Sequence, residues 1–408
     1  MIGGGVIGVC SAYYLARQGR QVTLIEQGEI GGGCSYGNAG LIVPSHTIPL
    51  AAPGVLTQGL KWLLDPESPF YIKPRFDLKL LSWLWQFQAA CNEARMQRVI
   101  PLLRDLSQAS LALYEELMTQ EGLECCYRQN GLLTIFGTGH GYEEGLAEAR
   151  LLQAYGLPLT ILDATATRAR EPIVGAGIVG GILFHEDAHL NPALFVQGLA
   201  RCVQEQGGKL KTGTELLGFE TARGRIVTVK TTRGDFQPDQ VVLAAGAWSP
   251  RLGQELRLKL PIQPAKGYSL TVKRPASGPG LPLVLGEARV AVTPMGPLLR
   301  FAGTLELAGF DFTINRRRVN AILRAVGDYL PAARNLELIE IWRGLRPCTP
   351  DGLPLIGRSA SFENLMIATG HAMLGVSLGP VTGKLVAQLA AEQTPLLDLT
   401  ALRVERFH

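Results

Sequence analysis

Histidine is scarce in this 408-residue chain, with six in all, and no pair of its side chains reads as an acid–base couple. Chemistry that depends on a proton relay is a poor match; chemistry that depends on orienting the reactants fits better. The seven cysteines, at 10, 34, 91, 125, 126, 202 and 348, form no metal-spaced CxxC pair, and the odd count in a chain of this size suits a reduced, cytoplasmic protein. No metal site is expected. No apolar run reaches the length of a membrane-spanning helix, and no signal peptide opens the chain. A net charge of +4 is too small to argue for nucleic acid. Internal repeats and low-complexity tracts are missing as well.

Apolar residues make up 47% and charged residues 18%, which describes a globular chain with a large core, and the length favours two domains. Glycine is abundant, at 48 residues, and its placement at the start organises the rest. Gly3, Gly5 and Gly8 fit G-x-G-x-x-G, followed by a helical pattern to Gln18, an apolar strand Val22 to Ile25, and Glu26. Gly3 permits the tight turn, Gly5 lets backbone approach a pyrophosphate, and Gly8 lets helix pack on strand. The helix N-terminus offers unpaired N–H groups to phosphate. Glu26 is placed to accept hydrogen bonds from an adenosine ribose, and a carboxylate there disfavours NADP. The motif begins at residue 3, so the first strand is almost absent, and a few residues are expected ahead of Met1.

Residues 28–44 are glycine-rich and follow directly on Glu26, the position of a backbone that must come close to a cofactor. Residues 45–90 hold three of the five tryptophans with lysines interleaved. Such a segment can lie in a membrane interface; the alternative is a helical subdomain anchored by its aromatics. Further on, the pattern predicts helices over 95–122, 143–153, 191–206, 316–329 and 381–391. It predicts strands over 131–136, 180–184, 209–212, 240–246 and 365–368, a hairpin near 224–232, and short antiparallel strands over 260–315. The β–α–β return near residue 190 implies that the nucleotide fold resumes after an insertion. The expected division is 1–50, 190–255 and 340–408 for the nucleotide domain, and 51–189 with 256–339 for the other.

His371 lies between a strand and a helix, where a helix N-terminus can stabilise negative charge on a reduced ring; an ordinary loop histidine is the alternative. Arg343 and Arg346 flank Gly344-Leu345. A guanidinium there suits a bidentate grip on a substrate carboxylate, or else an interdomain salt bridge. Tyr268 can offer a hydroxyl to substrate or serve as a buried sheet tyrosine. Glu306 borders the pocket or, more simply, is a solvated turn acid. Cys348 reads as structural rather than as a covalent flavin link.

Taken together, Gly3–Gly8 with Glu26, Asn38-Ala39-Gly40, Lys266-Gly267-Tyr268-Ser269, Gly344-Leu345-Arg346-Pro347 with Thr349-Pro350-Asp351-Gly352, and Thr369-Gly370-His371 with Leu374-Gly375 resemble the D-amino-acid oxidase superfamily of FAD enzymes. They are most similar to the bacterial D-amino-acid dehydrogenases (small subunit), as is Ala51 to Val55 with Lys61-Trp62. The resemblance implies a Rossmann-type FAD domain and an inserted substrate domain built on an antiparallel sheet. It implies non-covalent FAD and oxidation of an amino acid, by hydride transfer from Cα to flavin N5, to an imino acid that water converts to a 2-oxo acid. Electrons then pass to a quinone or another respiratory carrier. Residues 45–90 become a candidate peripheral contact with the inner face of the cell membrane. The residues carried over as catalytic are Arg346, Tyr268 and His371. The cofactor set is Gly3, Gly5, Val6, Ile7, Gly8, Glu26, Gln27, Cys34, Ser35, Asn38, Ala39, Gly40, Leu41, Leu216, Ala245, Gly246, Trp248, Gly344, Gly370, His371, Met373, Leu374, Gly375, Val376 and Ser377. Two departures stand out: Ala372 replaces a common glycine, and Cys34 and Ser35 stand in a loop where Thr or Ser is usual near the phosphates. Rival readings are a secondary-amine (hydroxyproline, proline or sarcosine) dehydrogenase, an oxidase using oxygen directly, and a non-catalytic flavin-bound subunit.

Overall fold

The computed structural model describes residues 1–55 and 68–407, so Lys61 and Trp62 of the candidate membrane segment lie outside the described residues. Two sheets organise the molecule. The first runs in the order Lys209–Lys211, Thr23–Ile25, Val241–Leu243, Leu365–Thr369, Leu355–Arg358. Ile2 bridges Ile25 and Leu243 in parallel and completes it, so the first strand is a single residue in ladder register. Only the Leu355–Arg358 edge is antiparallel.

The inner strands Thr23–Ile25, Val241–Leu243 and Leu365–Thr369 are apolar at nearly every position because both faces are covered. Leu24, Val242, Ala244, Met366 and Ala368 meet the helix layer, while Ile25, Val241, Leu243, Leu365 and Ile367 meet Ile226 and Val229 of the hairpin Leu216–Ala222/Arg225–Thr231. The helix layer holds Val6–Arg17, Pro192–Glu205 and Gly379–Ala390. Asn191 starts the second of these, its Oδ1 accepting from the Ala193 and Leu194 N–H groups, as the Asn-Pro pair predicts. Helices Val6–Arg17 and Gly379–Ala390 touch backbone to backbone: a Cβ on Gly383 would lie 2.5 Å from the Cys10 carbonyl carbon.

The second sheet has nine strands. Gln263–Lys273 pairs antiparallel with Leu338–Cys348 on one side and Leu298–Leu307 on the other. The sheet continues through Val290–Met295, Leu283–Leu285, Leu132–Phe136, Gly180–Phe184 and Leu159–Asp163. The expected antiparallel sheet is thus extended by two parallel joints, Leu283–Leu285 on Leu132–Phe136 and Phe70–Ile72 on Leu298–Leu307. Each joins strands far apart in sequence, with ample chain for a crossover. Helix Arg316–Tyr329 covers one face through Val319, Ile322 and Val326. Strand Leu338–Cys348 belongs wholly to this sheet, so the division expected at residue 340 falls inside a strand.

Helix Leu78–Ala90, capped by the Asp77 carboxylate, turns Leu80, Trp83 and Phe87 inward, and Trp83 Nε1 donates to the Cys348 carbonyl at 3.0 Å. The subdomain reading therefore holds for that face, while Leu78, Leu81 and Trp85 remain exposed. The long helix Glu93–Glu121 packs Val99, Leu103 and Leu106 on Leu378, Val381 and Leu385, next to the first sheet.

Candidate functional site

A cleft of about 400 Å³ opens where the C-terminal ends of the first sheet's parallel strands meet the second sheet. Switch points of this kind are where doubly wound sheets bind ligands. One end is lined by Gly3, Gly5, Val6, Ile7, Glu26 and Gln27, with Cys34, Ser35 and Asn38 opposite. Leu216, Ala245, Gly246 and Trp248 form a side wall, and Gly370, His371, Gly375 and Val376 the far end. Seventeen of the sequence-derived cofactor positions therefore converge on one cavity.

The local chemistry follows from the turn. Gly3 holds φ +105°, and a Cβ on Gly8 would sit 1.9 Å from the Gly3 carbonyl oxygen. Helix Val6–Arg17 then starts at Gly5 with no side-chain cap of its own; Ser35, from the glycine-rich loop, accepts from the Val6 N–H at 2.9 Å. Glu26 is fixed at both oxygens: Oε2 accepts from Gly4 N–H at 2.7 Å and Oε1 from Gly28 N–H at 2.9 Å. Asn38 Oδ1 accepts from Gly40 N–H at 2.8 Å and closes the loop.

The other positions do not line the cavity. Gly8 is beneath the turn. Gly40 abuts the Leu190 carbonyl, Leu41 pairs with His189, and Ala39 lies between Asn38 and Gly40. Ser377 Oγ accepts from Val43 N–H at 3.0 Å, Leu374 N–H donates to the His371 carbonyl at 2.8 Å, and Met373 is exposed. Gly344 faces the Trp342 ring, which also covers Gly37.

His371 is buried, with Nε2 2.9 Å from Thr382 Oγ1 in the first turn of helix Gly379–Ala390. Burial pulls its pKa down to about 3, so the ring is neutral at physiological pH, with one N–H and one acceptor nitrogen. Its Nδ1 is buried and finds no protein partner among the described residues.

Arg346 lies opposite Ala265 in the strand register, its guanidinium across the bare α-carbon of Gly267, with Nη1 donating to the Thr304 carbonyl at 2.7 Å. Leu345 and Pro347 on either side line the cleft, and the Arg346 charge lowers the Cys34 thiol against the larger opposing effect of burial. Tyr268 faces the other side. It is buried against helix Arg316–Tyr329, its hydroxyl 3.3 Å from Glu306 and accepting from Asn315 N–H at 3.2 Å. Arg343 also turns away, donating to the Phe312 carbonyl. Glu306 neither borders the cleft nor is solvated: it is 3% exposed and pairs with Lys266 at 3.1 Å and Arg318 at 2.9 Å. Cys348 is fully buried beside His371, to which it is bridged through backbone.

Two residues that hold the glycine-rich loop against the second sheet escaped sequence reasoning. Arg300 is 3% exposed and ties the Tyr36 and Asn38 carbonyls at 2.7 and 3.0 Å, holding the loop that carries Cys34 and Ser35. A lone charge inside an alternating apolar strand was the signal. Trp342 covers Gly37 and Gly344, and only the adjacency of tryptophan to a glycine two residues on hinted at it.

A family model described as DAO, FAD dependent oxidoreductase, matches residues 1–389. The chain belongs to this family of FAD-dependent oxidoreductases. It is 35% identical to a D-amino acid dehydrogenase of Methylobacterium radiotolerans, covering 100% of this chain and 99% of that one. It is 32% identical to one of Granulibacter bethesdensis at the same coverage. In fold it is similar to glycine oxidase from Geobacillus kaustophilus (TM-score 0.80, 23% identity, 99% and 97% of the two chains) and to L-proline dehydrogenase from P. horikoshii (TM-score 0.79, 20% identity, 100% and 96%).

The cleft of this FAD-dependent oxidoreductase fits its cofactor. A fixed carboxylate at Glu26 suits ribose hydroxyls, a helix start on a bare glycine with no cap of its own suits the diphosphate, and the unpartnered Nδ1 of His371 lies at the far end. Among the described residues no cluster of His, Cys, Asp or Glu could hold a metal ion.

Ala372 takes φ +46°, a left-handed conformation that glycine adopts freely and alanine only with strain. This gives the common glycine there a physical reason. Ala372→Gly is expected to raise stability by up to about 1 kcal/mol, read as a shift in the urea midpoint at unchanged slope.

Proposed function

We propose that this chain is an FAD-dependent D-amino-acid dehydrogenase. The observation that carries the reading is Arg346, whose guanidinium lies over the bare α-carbon of Gly267 and whose charge acts on the cleft residue Cys34, with Leu345 and Pro347 on either side of it in the chain lining the cleft. A planar cation there binds the substrate carboxylate by its two-pronged edge. Bound FAD supplies the two-electron acceptor for the hydride that leaves the substrate Cα. The chain's own part is orientation: Arg346 sets the carboxylate, the second sheet covers the cleft, and neutral His371 adds no charge at its far end. The amine gives up its N–H proton to solvent, and water hydrolyses the imine to the 2-oxo acid and ammonia. No residue has to act as a tuned base, in keeping with the scarcity of histidine.

In this reading residues 1–50, 190–255 and 349–408 form the FAD domain, and 51–189 with 256–348 the substrate domain. The cofactor contacts are the cleft-lining members of the sequence-derived set. The test is anaerobic loss of flavin absorbance with D-alanine, L-alanine, D-proline and cis-4-hydroxy-D-proline. Broad reaction with D-amino acids is expected. Reaction with the cyclic imino acids alone would move the assignment to secondary amines, and reaction with none would overturn it.

The electron acceptor is a quinone or another respiratory carrier, reached at the membrane surface. No helix among the described residues is long and apolar enough to cross a membrane. Supporting surface contact, Trp85 is 72% exposed, Leu78 68% and Leu81 53% on a helix whose opposite face is anchored in the core, and Phe76, just ahead of its Asp77 cap, is 90% exposed. Lys79 is exposed beside them. Seating these side chains in a bilayer interface removes apolar surface worth roughly 1.5–3 kcal/mol each. Leu81→Glu/Trp85→Glu is expected to lower co-sedimentation with phosphatidylglycerol vesicles more than tenfold, with unchanged turnover of an artificial acceptor in solution. Undiminished co-sedimentation would remove this helix from the contact.

A further inference from the structure

A second cavity, of about 340 Å³, shares none of its lining residues with the cofactor cleft. It lies where the segment 126–130, the strand Ala188–His189 and the turns at 274–280 and 294–296 come together. Its chemistry is unlike the apolar surroundings. Arg128 and Arg274 both line it, and neither forms an ion pair with a carboxylate among the described residues. Arg274 Nη2 donates to the Pro279 carbonyl at 2.7 Å, and Arg128 is exposed at the rim. The charge of Arg274 acts on Glu171, whose carboxylate accepts from Gly280 N–H at 2.8 Å.

His189 is the decisive member. It is only 2% exposed, lines the cavity, and its Nδ1 is buried with no partner among the described residues. Burial, and after it the charges of Arg128 and Arg274, push its pKa down to about 4, so both guanidiniums act on the ring and the ring is neutral. A buried polar atom without a partner costs free energy unless a ligand satisfies it. Two guanidiniums and one neutral imidazole around a cavity of this size form a donor set for a small oxyanion.

We propose that this cavity is a second ligand site that takes a small oxyanion, a carboxylate or a phosphate, between Arg128, Arg274 and His189. The site is backed directly onto the cofactor side of the molecule: His189 pairs through its backbone with Leu41, immediately after the Asn38–Gly40 turn, and Met295, between cavity residues Pro294 and Gly296, packs on Gly40. A bound anion is thus placed to stiffen the wall behind that turn.

Calorimetric titration of the FAD-loaded protein with pyruvate, and separately with inorganic phosphate, tests this against Arg128→Ala and Arg128→Glu. The side chain is exposed, so both variants should fold, and neither touches the dehydrogenase site. A charge-assisted contact contributes about 1.5–3 kcal/mol, so Arg128→Ala should weaken one binding equivalent by roughly tenfold to a hundredfold, and Arg128→Glu should abolish it. Any pyruvate held by Arg346 would remain as a separate equivalent, so a failure of the dehydrogenase reading leaves this result unchanged. Loss of a pyruvate equivalent alone assigns a carboxylate site; loss of a phosphate equivalent assigns one open to free phosphate. Absence of heat from both probes, or full stoichiometry and affinity in both variants, would overturn the proposal.

Discussion

Arg346→Ala is expected to lower kcat/KM for D-alanine by about three orders of magnitude while leaving the protein yellow. Truncating one partner of a desolvated, hydrogen-bonded charge pair costs roughly 2–5 kcal/mol, and each 1.4 kcal/mol is a factor of ten in rate. The loss should appear in both KM and kcat, because a substrate without its carboxylate anchor also loses its orientation over the cofactor. The fold should tolerate the change: the side chain gives up one hydrogen bond, to the Thr304 carbonyl, and uncovers a glycine. Arg346→Lys separates charge from geometry. It keeps the cation and loses the planar fork, so an intermediate loss of about ten- to a hundredfold is expected. An Arg346→Ala enzyme with the apparent affinity of the parent would move the carboxylate site elsewhere.

The arrangement around Arg346 shows why part of the site was legible in the sequence and part was not. The G-x-G-x-x-G turn, the Asn191-Pro192 helix start and the helix over 316–329 carry local signals, in glycine spacing, capping and apolar period, and each lies where those signals put it. Strand Gln263–Lys273 carries no such signal about its faces. Residues 263–272 are all buried, so no alternation of polar with apolar side chains says which face meets the cofactor. Gly267 turns to Arg346, and Tyr268, one residue on, turns to Glu306. Glu306 itself is buried only because Lys266 and Arg318, from elsewhere in the chain, bracket its carboxylate, and a sequence shows no such pairing. Helix Leu78–Ala90 is apolar on both sides, and only packing reveals that Trp83 is inside and Trp85 outside.

Gly8→Ala is expected to abolish folding to the FAD-loaded state, whereas Gly5→Ala, three residues earlier, should fold and bind FAD weakly. The difference is where each new methyl group would go. At Gly8 it would sit 1.9 Å from the Gly3 carbonyl oxygen, far inside the 3.0 Å that non-bonded Cβ contacts essentially never breach. That carbonyl cannot retreat. Gly3 N–H is held by the Ile25 carbonyl at 2.9 Å, and Ile2 is tied to both Val242 and Ala244 through backbone hydrogen bonds. Gly3 is also already at φ +105°, with the Ala244 carbonyl closing the space beside it. The helix would have to lift, and on its far side it is locked against Gly383 with backbones in contact. A clash pinned from both directions belongs among the rare substitutions costing more than about 4–5 kcal/mol, a large part of what a domain has. At Gly5 the nearest atom to a new methyl group is Ser35 Oγ at 3.4 Å, ordinary contact, so the protein loses little stability. The methyl group instead enters the cleft at the helix start, where a diphosphate needs the backbone bare. Circular dichroism melting separates the two variants on stability, and quenching of flavin fluorescence on titration with FAD separates them on affinity. A Gly8→Ala protein melting with the parent would mean that helix and turn are less tightly locked than these distances require; a Gly5→Ala protein binding FAD as tightly as the parent would move the diphosphate away from the glycine turn.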